Sequence, residues 1–318
     1  MKIIFSHNIP EEYYLSYTQG MTVFKPKEPL TCFTREEIRE LLPDADVMIT
    51  IMEFRMDKEL IDLAPNLKVI ANQGSGTDNI DVAYAKEKGI AVCNAPRSVI
   101  DATSEMTIAI MMAACRGVVR YDRDLRRTLH MEKCLYFDGD MTLYDKTLGV
   151  IGMGRIGYVV AQKAHALGMK IIYTDMFDLA PERAEALGGA VRMSMEDLLA
   201  TADVVTIHMP MMPSTHHLIN AEKLALMKPT AYLINAARGP IVEEKALVDA
   251  LKNHRIKGAA LDVHEFEPDL SPEVAALDNI VVTPHACTNL TSERVRLLHE
   301  ALDGVTAVLK GEKPYNQL

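Results

Sequence analysis

The 318-residue sequence contains no tryptophan, and only 6% of it is aromatic. Its core must therefore come from aliphatic side chains, with 19 methionines to fill the gaps. No apolar run approaches the roughly 18 residues a membrane-spanning helix needs, so no membrane partner is expected. Basic residues are short: 34 Lys and Arg stand against 44 Asp and Glu, a net charge of −10. Nucleic acid is not expected as a partner either, because phosphate recognition needs a basic face. The five cysteines, Cys32, Cys93, Cys115, Cys134 and Cys287, form no Cys-x-x-Cys pair and have no histidines at zinc spacing. No metal is expected. Four of them read as reduced thiols, mostly in the core, and Cys287 is set apart by its position. Met1-Lys-Ile-Ile-Phe5 enters a strand directly, without a signal or transit pattern, so the expected compartment is the cytoplasm.

What the sequence does have is strand–helix alternation. Residues 2–98 predict strands at 2–5, 46–51, 67–71 and 90–93, with helices at 35–42, 57–64 and 82–88; Thr34 is placed to cap the first helix. A long apolar helix follows, to about Arg116, and reads as a buried element between domains. The charge run Arg120–Arg127 reads as a solvated helix face. Further strands are expected at 204–208, 231–235, 259–263 and 280–282, with helices at 195–200, 243–253 and 292–309. This alternation predicts an α/β protein of two doubly wound parallel-sheet domains. Residues 1–98 with 287–318 form one domain and residues 99–286 the other, with hinges near Asn94–Ala95 and His285–Ala286. A ligand cleft is expected between the carboxyl ends of the sheets.

The strongest local signal is Lys146-Thr-Leu-Gly-Val-Ile-Gly-Met-Gly-Arg-Ile-Gly157. A buried strand precedes Gly152, Gly154 and Gly157, a helical pattern follows, and a second strand ends on Asp175. In that context G-x-G-x-x-G is a dinucleotide turn. Gly152 permits the bend, Gly154 admits a pyrophosphate, and Gly157 allows close packing of helix on strand. Asp175 suits a ribose and repels a 2′-phosphate, so NAD is expected over NADP, with Arg183 the residue that could alter this. Beyond three later strands stand Arg238, Glu267 and His285. A guanidinium at a cleft can grip a carboxylate bidentately. A carboxylate beside an imidazole fixes its tautomer and favours its protonated form, as an acid–base pair requires. His264-Glu265 lacks the second histidine of a metal motif, and the other histidines, including His216-His217, read as surface or core.

The stretches Gly74-Ser-Gly-Thr-Asp-Asn-Ile-Asp81, Asp101–Glu105, the glycine turn, Asn235–Gly239, Leu261–Pro268 and Thr283-Pro-His285 together resemble the D-isomer-specific 2-hydroxyacid dehydrogenase family. The resemblance implies a Rossmann NAD-binding domain, a flavodoxin-like substrate domain, and NAD-dependent interconversion of small 2-oxo and D-2-hydroxy acids. It implies that Arg238 binds the carboxylate, His285 exchanges the proton and Glu267 holds His285. Backbone N–H groups at Ser75 and Gly76 would also hold the carboxylate, and Met52, with Glu53 and Phe54, would face the substrate's tail. Thr103, Arg155, Ile156, Asp175, His208, Pro210, Ala236 and Asp262 match cofactor-lining positions, and a homodimer joined through the cofactor domains is implied.

Departures from the family pattern narrow the expectation. Ile51 and Asn72 stand where phosphoglycerate members place arginines, which disfavours a phosphorylated substrate. Formate-type members pair the histidine with glutamine, whereas this chain has Glu267. After His285 the family's glycines are replaced by Ala286-Cys287-Thr288, leaving Cys287 either a pocket residue or a loop filler. An NAD(H)-sensing, corepressor-like protein on the same scaffold is the alternative from another class.

Overall fold

The structure, a computed structural model, describes residues 1–131 and 140–318; Cys134 lies outside them. The chain divides into two units, Met1–Val99 with Thr288–Leu318, and Ile100–Cys287. The changeovers fall later than the expected hinges, for a local reason. The Asn94 N–H donates to Asn316 O at 3.2 Å and the Ala95 N–H to Gly74 O at 2.9 Å, which ties both to the first unit. His285 and Ala286 are tied to Asp262 of the second by N–H donation at 2.7 and 2.8 Å.

The first unit runs β1 (Lys2–Phe5), β2 (Thr22–Phe24), α1 (Arg35–Leu41), β3 (Val47–Thr50), α2 (Lys58–Asp62), β4 (Val69–Asn72), α3 (Val82–Glu87) and β5 (Ala91–Cys93). Its parallel sheet has the order β2-β1-β3-β4-β5, the flavodoxin-like arrangement. Period-two alternation sends Ile4, Met48 and Ile70 to one face, against Ile38 of α1 and Leu60 of α2. Ile3, Phe5, Val47 and Val69 go to the other face, against Leu298, Ala301 and Leu302 of the C-terminal helix Thr291–Leu309. Thr34 caps α1 in a reciprocal capping box with Glu37, so this terminus was legible in sequence. The edge strand β2 was not: three residues are too few for a periodic signal.

The second unit contains α4 (Ile100–Cys115), α5 (Val118–Thr128), β6 (Thr147–Ile151), α6 (Arg155–Ala166), β7 (Lys170–Thr174), α7 (Pro181–Glu185), β8 (Val191–Arg192), α8 (Met195–Thr201), β9 (Val204–Ile207), α9 (Ala221–Leu226), β10 (Tyr232–Asn235), α10 (Glu244–Lys252), β11 (Gly258–Leu261), α11 (Pro272–Ala275) and β12 (Ile280–Val282). The seven strands are parallel in the order β12-β11-β10-β9-β6-β7-β8. Leu148, Val150 and Ile234 meet α4 and α6 through Ile110, Met111, Val160 and Ala161. Ile151, Val205 and Leu233 meet α8, α9 and α10 through Leu198, Leu224 and Leu247 on the opposite face. Helices thus cover both faces, as a doubly wound sheet requires.

Helix α4 is buried within this unit, on α6 and the β10–β12 strands, although Met112 on its outer side is exposed. Gly117, with φ 60°, ends its run, and the Arg120–Arg127 charges lie on the separate helix α5, none of whose residues is buried. No single helix among the described residues is long and apolar enough to cross a membrane.

Candidate active site

The order of the second sheet reverses between β6 and β9, and the glycine turn follows β6 there. Gly152 has φ +92°, and a Cβ on it would meet the His208 backbone at 2.7 Å. A Cβ on Gly157 would lie 2.1 Å from Gly152 O, so only glycine lets α6 start this close to the strand. At Gly154, by contrast, a Cβ would meet nothing within 4 Å, and no side chain caps α6. An open approach to uncapped N–H groups at a helix N-terminus is what a pyrophosphate needs, so the residues present fit the dinucleotide. Arg155 is exposed and Ile156 half-buried on that first turn.

Asp175 follows β7, with its Oδ2 accepting from the Met153 N–H at 2.7 Å and its Oδ1 from the Phe177 N–H at 3.2 Å. Its carboxylate is therefore held against the glycine turn. Sequence reading singled out Arg183 as the residue able to alter the cofactor preference. Arg183 instead stacks on the Tyr158 ring at 3.7 Å. The arginine that reaches the Asp175 loop is Arg192 of β8, which donates to Asp175 O at 2.9 Å and Met176 O at 3.1 Å and pairs with Asp178 at 3.2 Å. A two-residue strand leaves no pattern, so nothing in the sequence pointed to it. His208 hydrogen-bonds the Thr206 hydroxyl at 2.8 Å, and burial pushes its pKa down to about 3. That imidazole stays neutral. Ala236 and Thr103 are buried, and Pro210 is exposed.

The residues proposed for chemistry follow three adjacent strands, β10, β11 and β12. After β10, the Asn235 side chain donates to Arg238 O at 2.9 Å and accepts from the Ala237 N–H at 3.0 Å, fixing the turn that presents Arg238. The Arg238 guanidinium, half-buried, donates to Ala237 O at 2.7 Å. After β11, Glu267 accepts from the His264 N–H at 2.8 Å through Oε1 and meets His285 Nδ1 at 3.0 Å through Oε2. Burial pushes the Glu267 carboxyl up, but the hydrogen bonds from His285 and the His264 N–H outweigh it and hold it below its ordinary value. Glu265 braces the same loop, meeting His217 at 2.6 Å and the Glu244 N–H at 2.7 Å, so His217 is more than a surface residue. His285 leaves Nε2 as the nitrogen not turned to Glu267, and its φ is +50°.

Asp262 is fully buried, and its carboxylate accepts from Thr283, Ala286 and Cys287. Cys287, at 8% exposure, belongs to this cluster.

In the first unit, Gly74 O accepts from the Ala95 N–H at 2.9 Å, Ser75 O from Asn94 Nδ2 at 2.6 Å and Gly76 O from Asn72 Nδ2 at 2.6 Å. Because trans peptide groups are planar, each bond turns the next N–H the opposite way. The Ser75 N–H thus faces away from Ala95 and the Gly76 N–H away from Asn94. Asn72, read in sequence only as a missing arginine, is a support for this loop. Met52 is half-buried and Glu53 exposed, but Phe54 packs into the core with Ile4 and Leu60, so it is withdrawn from any tail pocket.

Residues 108–287 match the model of the D-isomer specific 2-hydroxyacid dehydrogenase NAD-binding domain. A Staphylococcus aureus (strain MRSA252) protein that carries the name 2-hydroxyacid dehydrogenase is 42% identical over 276 residues, 85% of each chain. Among solved structures, a D-lactate dehydrogenase from Aquifex aeolicus, complexed with NAD and lactic acid, superposes with TM-score 0.83 at 28% identity, over 98% of this chain and 96% of that one. An acyclic imino acid reductase in complex with NADPH and D-Arg does so with TM-score 0.87 at 27% identity, over 100% of both chains.

Proposed function

The chain belongs to the D-isomer-specific 2-hydroxyacid dehydrogenase family and is an oxidoreductase, and on that premise we propose that it interconverts a small, unphosphorylated 2-oxo acid and its D-2-hydroxy acid with NAD(H). When bound, the nicotinamide supplies or accepts the hydride at substrate C2. Residues of the chain do the rest. Arg238 grips the substrate carboxylate and polarises the carbonyl, and the Ser75 and Gly76 N–H groups give the carboxylate a second hold. During reduction His285 passes the proton on Nε2 to the carbonyl oxygen, and Glu267 stabilises the imidazolium that donates it. During oxidation the same nitrogen takes the hydroxyl proton back. The Gly152–Gly157 turn, Thr103, Arg155, Ile156, His208, Pro210 and Ala236 hold the cofactor in this reading.

The observation that carries the proposal is the Glu267–His285 pair at 3.0 Å, on loops beyond adjacent strands, with Arg238 beyond the next. The pair supports turnover but is compatible with an NAD(H) sensor on the same scaffold, which the experiment below separates. Preference for NAD rests on the Asp175 carboxylate, which repels a 2′-phosphate. We also place a homodimer contact on α5, whose exposed Val118, Val119, Tyr121 and Leu125 a second copy would cover. Light scattering tests this, and a monomer at micromolar concentration rejects it.

The deciding experiment is NADH and NADPH oxidation against glyoxylate, hydroxypyruvate, pyruvate, branched and aromatic 2-oxo acids, 2-ketogluconate and phosphohydroxypyruvate. Rapid turnover of an unphosphorylated acid with NADH is expected. Tight NADH binding with no turnover of any compound would instead favour the sensing role.

A further inference from the structure

His285 adopts φ +50°, a left-handed conformation uncommon for a residue with a Cβ, and its surroundings hold it there. Those surroundings converge on Asp262. Its main-chain oxygen accepts from the His285 N–H at 2.7 Å. Oδ1 accepts from the Thr283 hydroxyl at 2.5 Å and the Ala286 N–H at 2.8 Å. Oδ2 accepts from the Cys287 N–H at 3.1 Å and the Cys287 thiol at 2.8 Å. Donors from both sides of His285 therefore fill both carboxylate oxygens. A side chain committed in this way braces the turn that carries His285.

We propose that Cys287 and Asp262 are positioning residues for His285, with the Cys287 thiol as the bridge that fastens the far side of the left-handed His285 turn to the Asp262 carboxylate. A thiol suits the place. Burial and the facing Asp262 carboxylate push its pKa well up, so it remains an S–H donor and never presents a thiolate to the carboxylate. A glycine there would supply only the backbone half of the contact. The chain's departure from the family's glycines at this point is thus a replacement of one tethering device by another. It is neither a substrate contact nor an inert filler.

This inference rests on His285 as the acid–base group, so the test includes that residue. Full-length Cys287→Ala, Cys287→Ser and His285→Ala are compared for kcat, KM and pH profile with the best 2-oxo acid of the panel, and for NADH Kd by fluorescence. Cys287→Ala is expected to lower kcat about three- to tenfold, the loss of one hydrogen bond to a charged group, while KM and NADH Kd stay within about twofold. Cys287→Ser, which keeps a donor, should recover most of kcat. A loss carried by KM would make the thiol a pocket residue and overturn the proposal, as would unchanged kcat or equal loss in the Ala and Ser variants. If Cys287→Ala does not fold, Cys287→Gly removes the same side-chain donor, and unchanged kcat there also overturns it. Turnover retained by His285→Ala rejects the acid–base assignment itself. A dead His285→Ala beside a fully active Cys287→Ala rejects only the bridge.

Discussion

Replacing Glu267 with glutamine separates the electrostatic role of that carboxylate from its shape. The two oxygens have different jobs: Oε1 takes the His264 N–H at 2.8 Å, and Oε2 meets His285 Nδ1 at 3.0 Å. A glutamine must keep its oxygen on the His264 donor, since the amide NH2 would face another N–H there. The NH2 is then directed at His285 Nδ1, which must accept, and the ring proton of the neutral imidazole moves to Nε2. That is the wrong tautomer for taking a proton from a hydroxyl. The lost charge also matters. Unit charges about 4 Å apart interact by about 1 to 4 kcal/mol between bulk-water and effective protein dielectrics. Both side chains are more than a third exposed, at 38% and 37%, so the lower part of that range applies.

An expected 1 to 1.5 kcal/mol corresponds to a downward move of the reduction pH profile by about one unit. Oxidation at neutral pH should fall further than reduction, by on the order of 10²-fold or more, because only oxidation needs the Nε2 lone pair; the analogous Asp-to-Asn change in a serine-protease triad costs about 10⁴. Steady-state rates in both directions from pH 5 to 9 measure this. Equal losses in both directions with an unmoved profile would remove Glu267 from the role assigned to it.

The glycine turn allows a paired test. Gly157→Ala puts a methyl 2.1 Å from Gly152 O and should cost about 2 kcal/mol or more of stability by denaturant titration. Gly154→Ala meets nothing within 4 Å, so stability should change by less than about 1 kcal/mol while NADH Kd rises at least tenfold. Asp175→Ala, measured as the ratio of kcat/KM for NADH and NADPH, should shift the ratio toward NADPH by on the order of tenfold, and Arg192→Ala made on top of it should reverse part of the shift. No reversal would show that Arg192 only braces the loop. Glu300 is buried; burial pushes its carboxyl up, but hydrogen bonds from Tyr315 and the Ser98 and Arg97 N–H groups bring it below its ordinary value. A depressed pKa contributes stability that is present above the unfolded glutamate value and lost as pH falls through the folded one. Glu300→Gln should therefore destabilise the protein at pH 7 more than at pH 4, and equal losses at both would contradict this.

The sequence by itself determined what is local. The αβ alternation, the Thr34 capping box and the dinucleotide turn are set by residues a few positions apart, where side-chain period, capping chemistry and glycine spacing act directly. That Arg238, Glu267 and His285 lie on the loops beyond three apolar strands was also legible, because each strand reads as a short apolar run. Tertiary structure decided everything that depends on which strands lie side by side. It put Arg192 rather than Arg183 at the Asp175 loop, because β8 pairs with β7. It turned the Ser75 N–H away from Ala95 and the Gly76 N–H away from Asn94, and sent Phe54 into the core. It also closed Asp262 and Cys287 into one cluster around His285. Such contacts join residues tens to hundreds of positions apart, and their geometry exists only once sheet order and burial have been set together.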